Sequence, residues 1–253
     1  MSDSLHIRQL QEHFKPIPVF SNTDLLQFYK TIDSEISRST LNWRIHSLVE
    51  RKFIKRQGRG LFALGETTEF IPEIDSSLKK ISTQLLKKFP YAKICLWNTK
   101  IINQWMLHQP SHFSTLVEAE KDAMESVFHY LQEHYNNVFL QPGKELLERY
   151  TISRPNAIIV LSLVSEAPTK ELNNINTITL EKIIVDMFCE PDIFAAQQGR
   201  DLAIIYDNIL SKYTINKNKL LRYADRRKKK EALLNYLNTK TKFRHIYGES
   251  AVS

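Results

Sequence analysis

The sequence predicts a mixed α+β protein: a small N-terminal winged helix-turn-helix followed by a larger α/β domain with a helical C-terminal part. Three observations lead there. Three helical patterns and a glycine-turned hairpin fill the first sixty-odd residues. Short apolar runs alternate with amphipathic ones between 92 and 164. From Thr179 to about Asn238 the chain keeps a helical period.

The first helix is expected over Leu5 to Phe14, where Leu5, Ile7, Leu10 and Phe14 share one side and Pro16 and Pro18 end it. Ser21 opens the second. Asp24, three residues on, makes a capping-box variant ahead of Leu25, Leu26, Phe28 and Tyr29. A polar connection from Thr31 to Glu35 leads to a third helix near Ser37. There Leu41, Ile45, Leu48 and Val49 fall at i, i+4, i+7 and i+8, a single apolar stripe. The opposite side carries Arg38, Ser39, Asn42, Trp43, His46 and Arg51, groups that bond phosphates or base edges. A helix of this kind, third after two short ones, has the character of a recognition helix, with Ser39, Thr40, Asn42, Trp43 and His46 toward the groove.

The hairpin comes directly after. Phe53 to Arg56 reads as a strand, Gln57-Gly58-Arg59-Gly60 turns the chain, and Leu61 to Leu64 returns. Lys55, Arg56 and Arg59 sit on or beside the turn, as a wing gripping double-stranded DNA through its phosphates requires. The same pattern also suits an adaptor whose winged helix binds protein.

Glu66 to Asp75 is polar, holds Pro72 and breaks the periodicity. The expected division is therefore 1–65 for the winged helix, 66–77 for a linker, 78–245 for the α/β domain and 246–253 for a tail. Past the linker, Leu78, Ile81, Leu85 and Leu86 mark an amphipathic helix that stops before Pro90. Strands are expected at Ala92–Trp97, Phe113–Val117, Asn137–Leu140 and Ala157–Val164, with helices at Glu120–Tyr135 and Lys144–Arg149 between them. Trp97, Trp105 and Phe113 read as core aromatics.

Motifs for chemistry are scarce. None of the six glycines precedes a serine, and Asp-x-Asp is absent, which speaks against a nucleotidyltransferase site. Phosphate-binding glycine loops, His-Glu-x-x-His and Gly-x-Ser-x-Gly are missing too. Cys95 and Cys189 are far apart and suit two reduced thiols. His108 and His112 flank Pro110, which prevents a helix that would align them. The nearest approach to an active site is Glu118-Ala119-Glu120-Lys121, where alternating glutamates resemble the acidic pair of a metal-dependent nuclease acting on DNA. Lys121 points the other way, however, and Glu120 fits better in the first turn of a helix, favoured by its dipole. The expectation is a non-enzyme with no cofactor and no bound metal.

Charge is divided unevenly. Residues 1–64 hold ten Lys/Arg against six Asp/Glu, 65–200 thirteen against seventeen, and 201–253 twelve against five. Two basic ends thus flank a mildly acidic middle, a distribution suited to a polyanionic partner. Arg226-Arg227-Lys228-Lys229-Lys230 is the densest run, fitting either a solvated corner between two helices or a second nucleic-acid contact. The longest apolar stretch, Ala157 to Val164, is too short to cross a membrane, and Met1 to Leu10 lacks the apolar run of a signal peptide, so a cytoplasmic protein is expected.

Two segments together carry a family resemblance. One is the hairpin Lys55-Arg56-Gln57-Gly58-Arg59-Gly60-Leu61-Phe62-Ala63-Leu64. The other is Thr179-Leu180-Glu181-Lys182-Ile183-Ile184-Val185-Asp186-Met187-Phe188, followed by Leu220-Leu221-Arg222-Tyr223-Ala224. In this order they resemble the AbiEi-type antitoxins of type IV toxin–antitoxin systems, related to abortive infection, which carry a Glu-Lys-x-x-x-Asp helix behind their winged helix. The resemblance implies a transcriptional autorepressor binding operator repeats, and an antitoxin functionally linked to a nucleotidyltransferase toxin. Read by themselves, Glu181, Lys182 and Asp186 at i, i+1 and i+5 also suit residues that brace one helix.

Overall fold

The structure, a computed structural model, describes residues 5–50, 53–65, 70–147, 149, 157–213 and 215–247. The N-terminal part runs α1 (Ile7–Phe14), β1 (Phe20–Ser21), α2 (Asn22–Lys30), α3 (Arg38–Glu50), β2 (Ile54–Gly58) and β3 (Leu61–Leu64). Its three strands form an antiparallel sheet in the order β1-β3-β2. The capping box at α2 forms as expected: the Ser21 hydroxyl accepts from the Asp24 amide, and the Asp24 carboxylate accepts from the Ser21 amide. Leu10, Phe14, Phe20, Leu25, Phe28, Leu41, Ile45, Leu48 and Phe62 converge on one apolar core. The Tyr29 hydroxyl donates to the Leu5 carbonyl (2.8 Å), tying α2 to the chain ahead of α1.

Gly60 makes the hairpin possible. Its φ of +72° lies in the left-handed region, and a Cβ there would meet the Asn22 side-chain nitrogen at 3.2 Å. Gly60→Ala is expected to lower stability by about 1–3 kcal/mol. Urea titration would show this as a lower midpoint at unchanged slope.

Beyond this lie α4 (Ser76–Lys88), β4 (Ile94–Asn98), β5 (Ser114–Ala119), α5 (Lys121–His134), β6 (Val138–Leu140), α6 (Lys144–Leu146) and β7 (Ala157–Ser162). The strands form a mixed sheet in the order β4-β5-β7-β6, with β4 antiparallel to β5, and β5, β7 and β6 mutually parallel. Alternation along the strands divides the core. Leu96, Val117, Ile158 and Val160 face α4 and α5, whereas Cys95, Trp97, Leu116 and Ile159 face the helices that come after β7.

Those helices are α7 (Leu180–Cys189), α8 (Arg200–Lys212), α9 (Lys217–Arg226), α10 (Lys230–Lys240) and α11 (Phe243–Tyr247). The expected helical stretch from Thr179 to Asn238 is thus four separate helices, and a fifth, α11, runs past the expected boundary at 245. The Thr179 cap opens the first of them, and Gly199 and the Asn216 cap are among the breaks. A hairpin of β8 (Thr169–Leu172) and β9 (Ile175–Ile178), not anticipated from sequence, precedes them. It lies beside β4, where Asn176 and Thr177 side chains donate to the Ile94 and Leu96 carbonyls at 3.1 and 2.7 Å.

The expected linker 66–77 needs correcting. Residues 66–69 lie outside the described residues, but α4 begins at Ser76 and Phe70 is buried. Phe70 packs on Trp105 and Tyr213, and its carbonyl accepts from the Lys170 ammonium at 2.6 Å. Nor is the β2–β3 hairpin isolated from the C-terminal helices: Gly58 of β2 lies against Asn218 of α9, where a Cβ on the glycine would stand 3.3 Å from the asparagine nitrogen. Packing outweighed composition at both points. Among the described residues no helix is long and apolar enough to cross a membrane.

Candidate functional site

The DNA-facing residues expected on α3 divide as the apolar stripe requires. Leu41, Ile45 and Leu48 are buried, while Arg38, Ser39, Asn42, Trp43 and His46 are exposed; Trp43 shows 56% of its surface. Thr40 is half-buried, and its hydroxyl, like that of Ser39, bonds to Ser37 Oγ at 2.8 Å. These hydroxyls help form the start of α3. Arg51 lies outside the described residues. On the hairpin Arg56 and Arg59 are exposed, Lys55 is half-buried, and the Arg56 guanidinium lies 5.7 Å from the centre of the Phe62 ring.

A second constellation lies at the centre of the larger core. Glu118 is on the inner face of β5, and α7 lies across that face with seven of its ten residues buried. Lys182 and Asp186, four apart on α7, share one side of the helix. The Lys182 ammonium donates to both Glu118 oxygens, at 2.7 and 2.6 Å, and to Asp186 Oδ2. Trp97 Nε1 donates to Glu118 Oε1 at 3.0 Å, and the Tyr223 hydroxyl of α9 donates to Asp186 Oδ1 at 2.7 Å. All three ammonium protons and all four carboxylate oxygens have partners.

Electrostatics follow from this closure. Burial pushes the Lys182 ammonium toward losing its proton, but Asp186 and Glu118 hold its pKa well above the usual lysine range. Burial raises the Glu118 carboxyl against the opposing pull of Lys182. Burial, reinforced by Asp186 and only partly opposed by Lys182, likewise raises the Tyr223 hydroxyl. Cys95, paired with Glu118 across the strands, is driven well up by burial and then by that carboxylate, so it is a poor nucleophile. A protonated lysine with three occupied donors has no lone pair to offer a substrate. It stands between two carboxylates as their internal cation, and the arrangement braces β4, β5, α7 and α9 against one another.

Glu120 belongs elsewhere. It occupies the N-cap of α5 and accepts from the Lys93 amide at 3.2 Å, so the expected Glu118/Glu120 pair is replaced by Glu118 with Asp186 and Lys182. Among the described residues no three His, Cys, Asp or Glu are grouped to hold a metal ion. Glu181, beside Lys182, accepts from the Asn216 amide at 2.7 Å and so anchors the start of α9. Sequence spacing did bring Lys182 and Asp186 together; Glu118, Trp97 and Tyr223 come from 37 to 89 residues away along the chain and had no local signal.

The Arg226–Lys230 run is a helix corner, but only part of it faces solvent. Arg226 pairs with Glu166, and Arg227, 15% exposed at its side chain, pairs with Glu190 and stands 4.0 Å from Asp186. Lys228 takes a left-handed φ of 55° between the two helices, and Lys228 and Lys229 are exposed. Next to this corner a cavity of about 360 Å³ opens beyond the carboxyl ends of β5, β6 and β7, lined by Glu118, Gln141, Ser162, Asp186, Glu190 and Arg227. Its floor is the Glu118–Asp186 edge of the buried network.

Fold and site together define a mixed α+β protein with a helical N-terminal unit, an antiparallel hairpin, and a four-stranded sheet that carries a saturated buried ion network. Residues 40–242, about four-fifths of the chain, match the DUF6577 family, described as a family of unknown function, and the chain belongs to it. The match begins inside α3, so hairpin, sheet and ion network all fall within it. No curated protein matches the chain.

Proposed function

We propose that this protein is a cytoplasmic DNA-binding repressor that acts by binding and not by catalysis, its N-terminal unit working as a winged helix-turn-helix on double-stranded operator DNA. The observation that carries the reading is the exposed side of α3. There Arg38, Asn42, Trp43 and His46 stand outward, next to a hairpin that presents Arg56 on β2 and Arg59 in its turn. The element order and the three-stranded sheet support it. An AbiE-like antitoxin role, countering a nucleotidyltransferase toxin, rests on the resemblance at Glu181, Lys182 and Asp186. Lys182 and Asp186 lie in the core of the larger domain and Glu181 is half-buried beside them, and together they fix α7 and α9.

The test is binding to DNA from upstream of the protein's own gene against scrambled DNA, at two salt concentrations. Preferential, salt-weakened binding is expected. Arg56→Ala or Arg59→Ala should weaken both DNAs alike and reduce the salt slope by about 1 each. Asn42→Ala should cost about 1–3 kcal/mol of specificity at one base position. Equal or absent binding to the two DNAs would overturn the reading and make Trp43 and its neighbours a protein-docking face.

A further inference from the structure

The connections of the main sheet leave a crevice at one end of it. β5 and β7 are parallel neighbours, yet the chain leaves them toward opposite faces. β5 leads into α5, which packs on one face, and β7 leads on to the helices that pack on the other. Diverging connections at adjacent carboxyl ends open a space that neither covers, which is where α/β sheets hold their ligands. The cavity of about 360 Å³ lies there, with Glu118 of β5 and Ser162 of β7 among its walls. A second cavity of about 460 Å³ adjoins it, sharing Leu147, Asp192 and Ile193.

The lining has a sign. Among the described residues four carboxylates face the space, Glu118, Asp186, Glu190 and Asp192, against one cation, Arg227. Lys182 is fully buried behind Glu118 and Asp186, so four negative charges meet two positive ones and the balance is −2. Arg227 is committed to Glu190 and stands 4.0 Å from Asp186, which leaves it little to give an anion. The carboxylates keep capacity. Glu118 and Asp186 are only 4% and 5% exposed, yet both line the cavity. Glu118 Oε2 and both Asp186 oxygens each accept one hydrogen bond of the two that such an oxygen can take. Asp192 is exposed at the rim and pairs with no cation among the described residues.

From this placement we infer that the crevice is a binding site for a small organic cation, an ammonium or guanidinium head on an apolar stem. The head would pair with Asp192 and face the Glu118–Asp186 floor, where a narrow, protein-walled space focuses the negative field. The stem would lie on Leu161, Val164, Ile193 and Phe194. Phe194 is stacked on Trp97, which donates to Glu118, so the apolar wall and the acidic floor are held by one network. A metal ion fits less well, since no three His, Cys, Asp or Glu among the described residues are grouped to hold one. The inference concerns the larger domain and does not rest on the DNA-binding reading.

The experiment is a titration of the full-length protein, isotope-labelled at its isoleucine, leucine and valine methyls, with hexylamine. Hexanoate and hexan-1-ol serve as an anion and a neutral molecule of similar length. Hexylamine should shift the Leu161, Val164 and Ile193 methyl signals saturably and leave those of Leu41 and Ile45, in the N-terminal core, in place. The other two probes should bind less tightly. Asp192→Asn should weaken hexylamine about 2–5-fold, and Asp192→Lys should weaken it further. Glu125→Lys, an equal charge change on α5 across the sheet, should have little effect. Asp192 and Glu125 are both exposed, so the fold should be preserved, as unchanged signals of the N-terminal core would verify. If hexanoate or hexanol moves the cavity signals as tightly as hexylamine, the site selects no cation and the inference falls. It falls too if no probe moves them, or if the two charge reversals act alike and only net charge matters. None of these results bears on DNA binding, which is decided by α3 and the hairpin.

Discussion

Lys182→Met is expected to destabilise the protein by about 3–5 kcal/mol, because it leaves the buried carboxylates of Glu118 and Asp186 facing each other without their cation. For a chain of this length that corresponds to a fall of about 6–20 °C in Tm. The native triad need not be strongly stabilising for this to hold. Desolvating three charges offsets much of their attraction, and the loss comes from leaving two of them uncompensated. Adding Glu118→Gln and Asp186→Asn to Lys182→Met should therefore recover a large part of the deficit, since the amide oxygens can still accept from Trp97 and Tyr223. Thermal and urea unfolding of the single and triple variants measure both effects.

The pH dependence of that deficit has a definite sign. Burial and Asp186 raise the Glu118 carboxyl, and Lys182 is what pulls it down. Without the lysine the folded-state pKa rises further above its unfolded value, so the folded state keeps a proton that the unfolded chain has released. Stability is then retained at acid pH and lost as pH climbs through the window between the ordinary carboxylate value and the raised one. The deficit of Lys182→Met should be smaller at pH 5 than at pH 8. A loss under about 1 kcal/mol, the same at both pH values, would mean that water reaches the carboxylates and that the network is not sealed.

Legibility of the fold in the sequence tracked the range of the interactions. The Ser21–Asp24 cap, the α3 stripe, the hairpin turn and most strands of the main sheet are set by neighbours within a few residues, and each could be read directly. The β8–β9 hairpin was missed although it carries a signal. Asn173 and Asn174 both adopt positive φ, as a two-residue hairpin turn needs, and they separate Thr169–Leu172 from Ile175–Ile178. The candidate network was half visible. Lys182 and Asp186 are one helical turn apart, so a brace along α7 could be foreseen, but pairing with Glu118 depends on which face of β5 the sheet turns toward α7. Glu118 and Glu120 appear equivalent by alternation, yet the strand stops at Ala119 and Glu120 becomes a cap. In the same way the five cations at 226–230 look uniform until tertiary partners single out Arg226 and Arg227.

Phe70→Ala is expected to cost about 3–5 kcal/mol, as much as the loss of a large core aromatic, although the residue falls in a stretch whose composition suggests a linker. Its ring is 5.6 Å from that of Trp105 and 5.7 Å from that of Tyr213, edge-on to the latter, and it belongs to the same apolar cluster as α7, α8 and α9. Removing it leaves a void among rigid aromatic walls that cannot close easily, which puts the cost at the upper end for its chemistry. The adjacent Ile71 is 64% exposed, and Ile71→Ala should change stability by no more than about 0.5 kcal/mol. The pair of substitutions separates the causes, since both delete apolar atoms at neighbouring positions, one buried and one exposed. If urea unfolding gives equal small losses for both, residue 70 is part of a tether, and contacts such as those of β2 with α9 and of Val19 with the larger core hold the N-terminal unit in place. If Phe70→Ala alone is costly, the chain from Phe70 onward is a packed strut. The hairpin is then fixed against α9 from two sides.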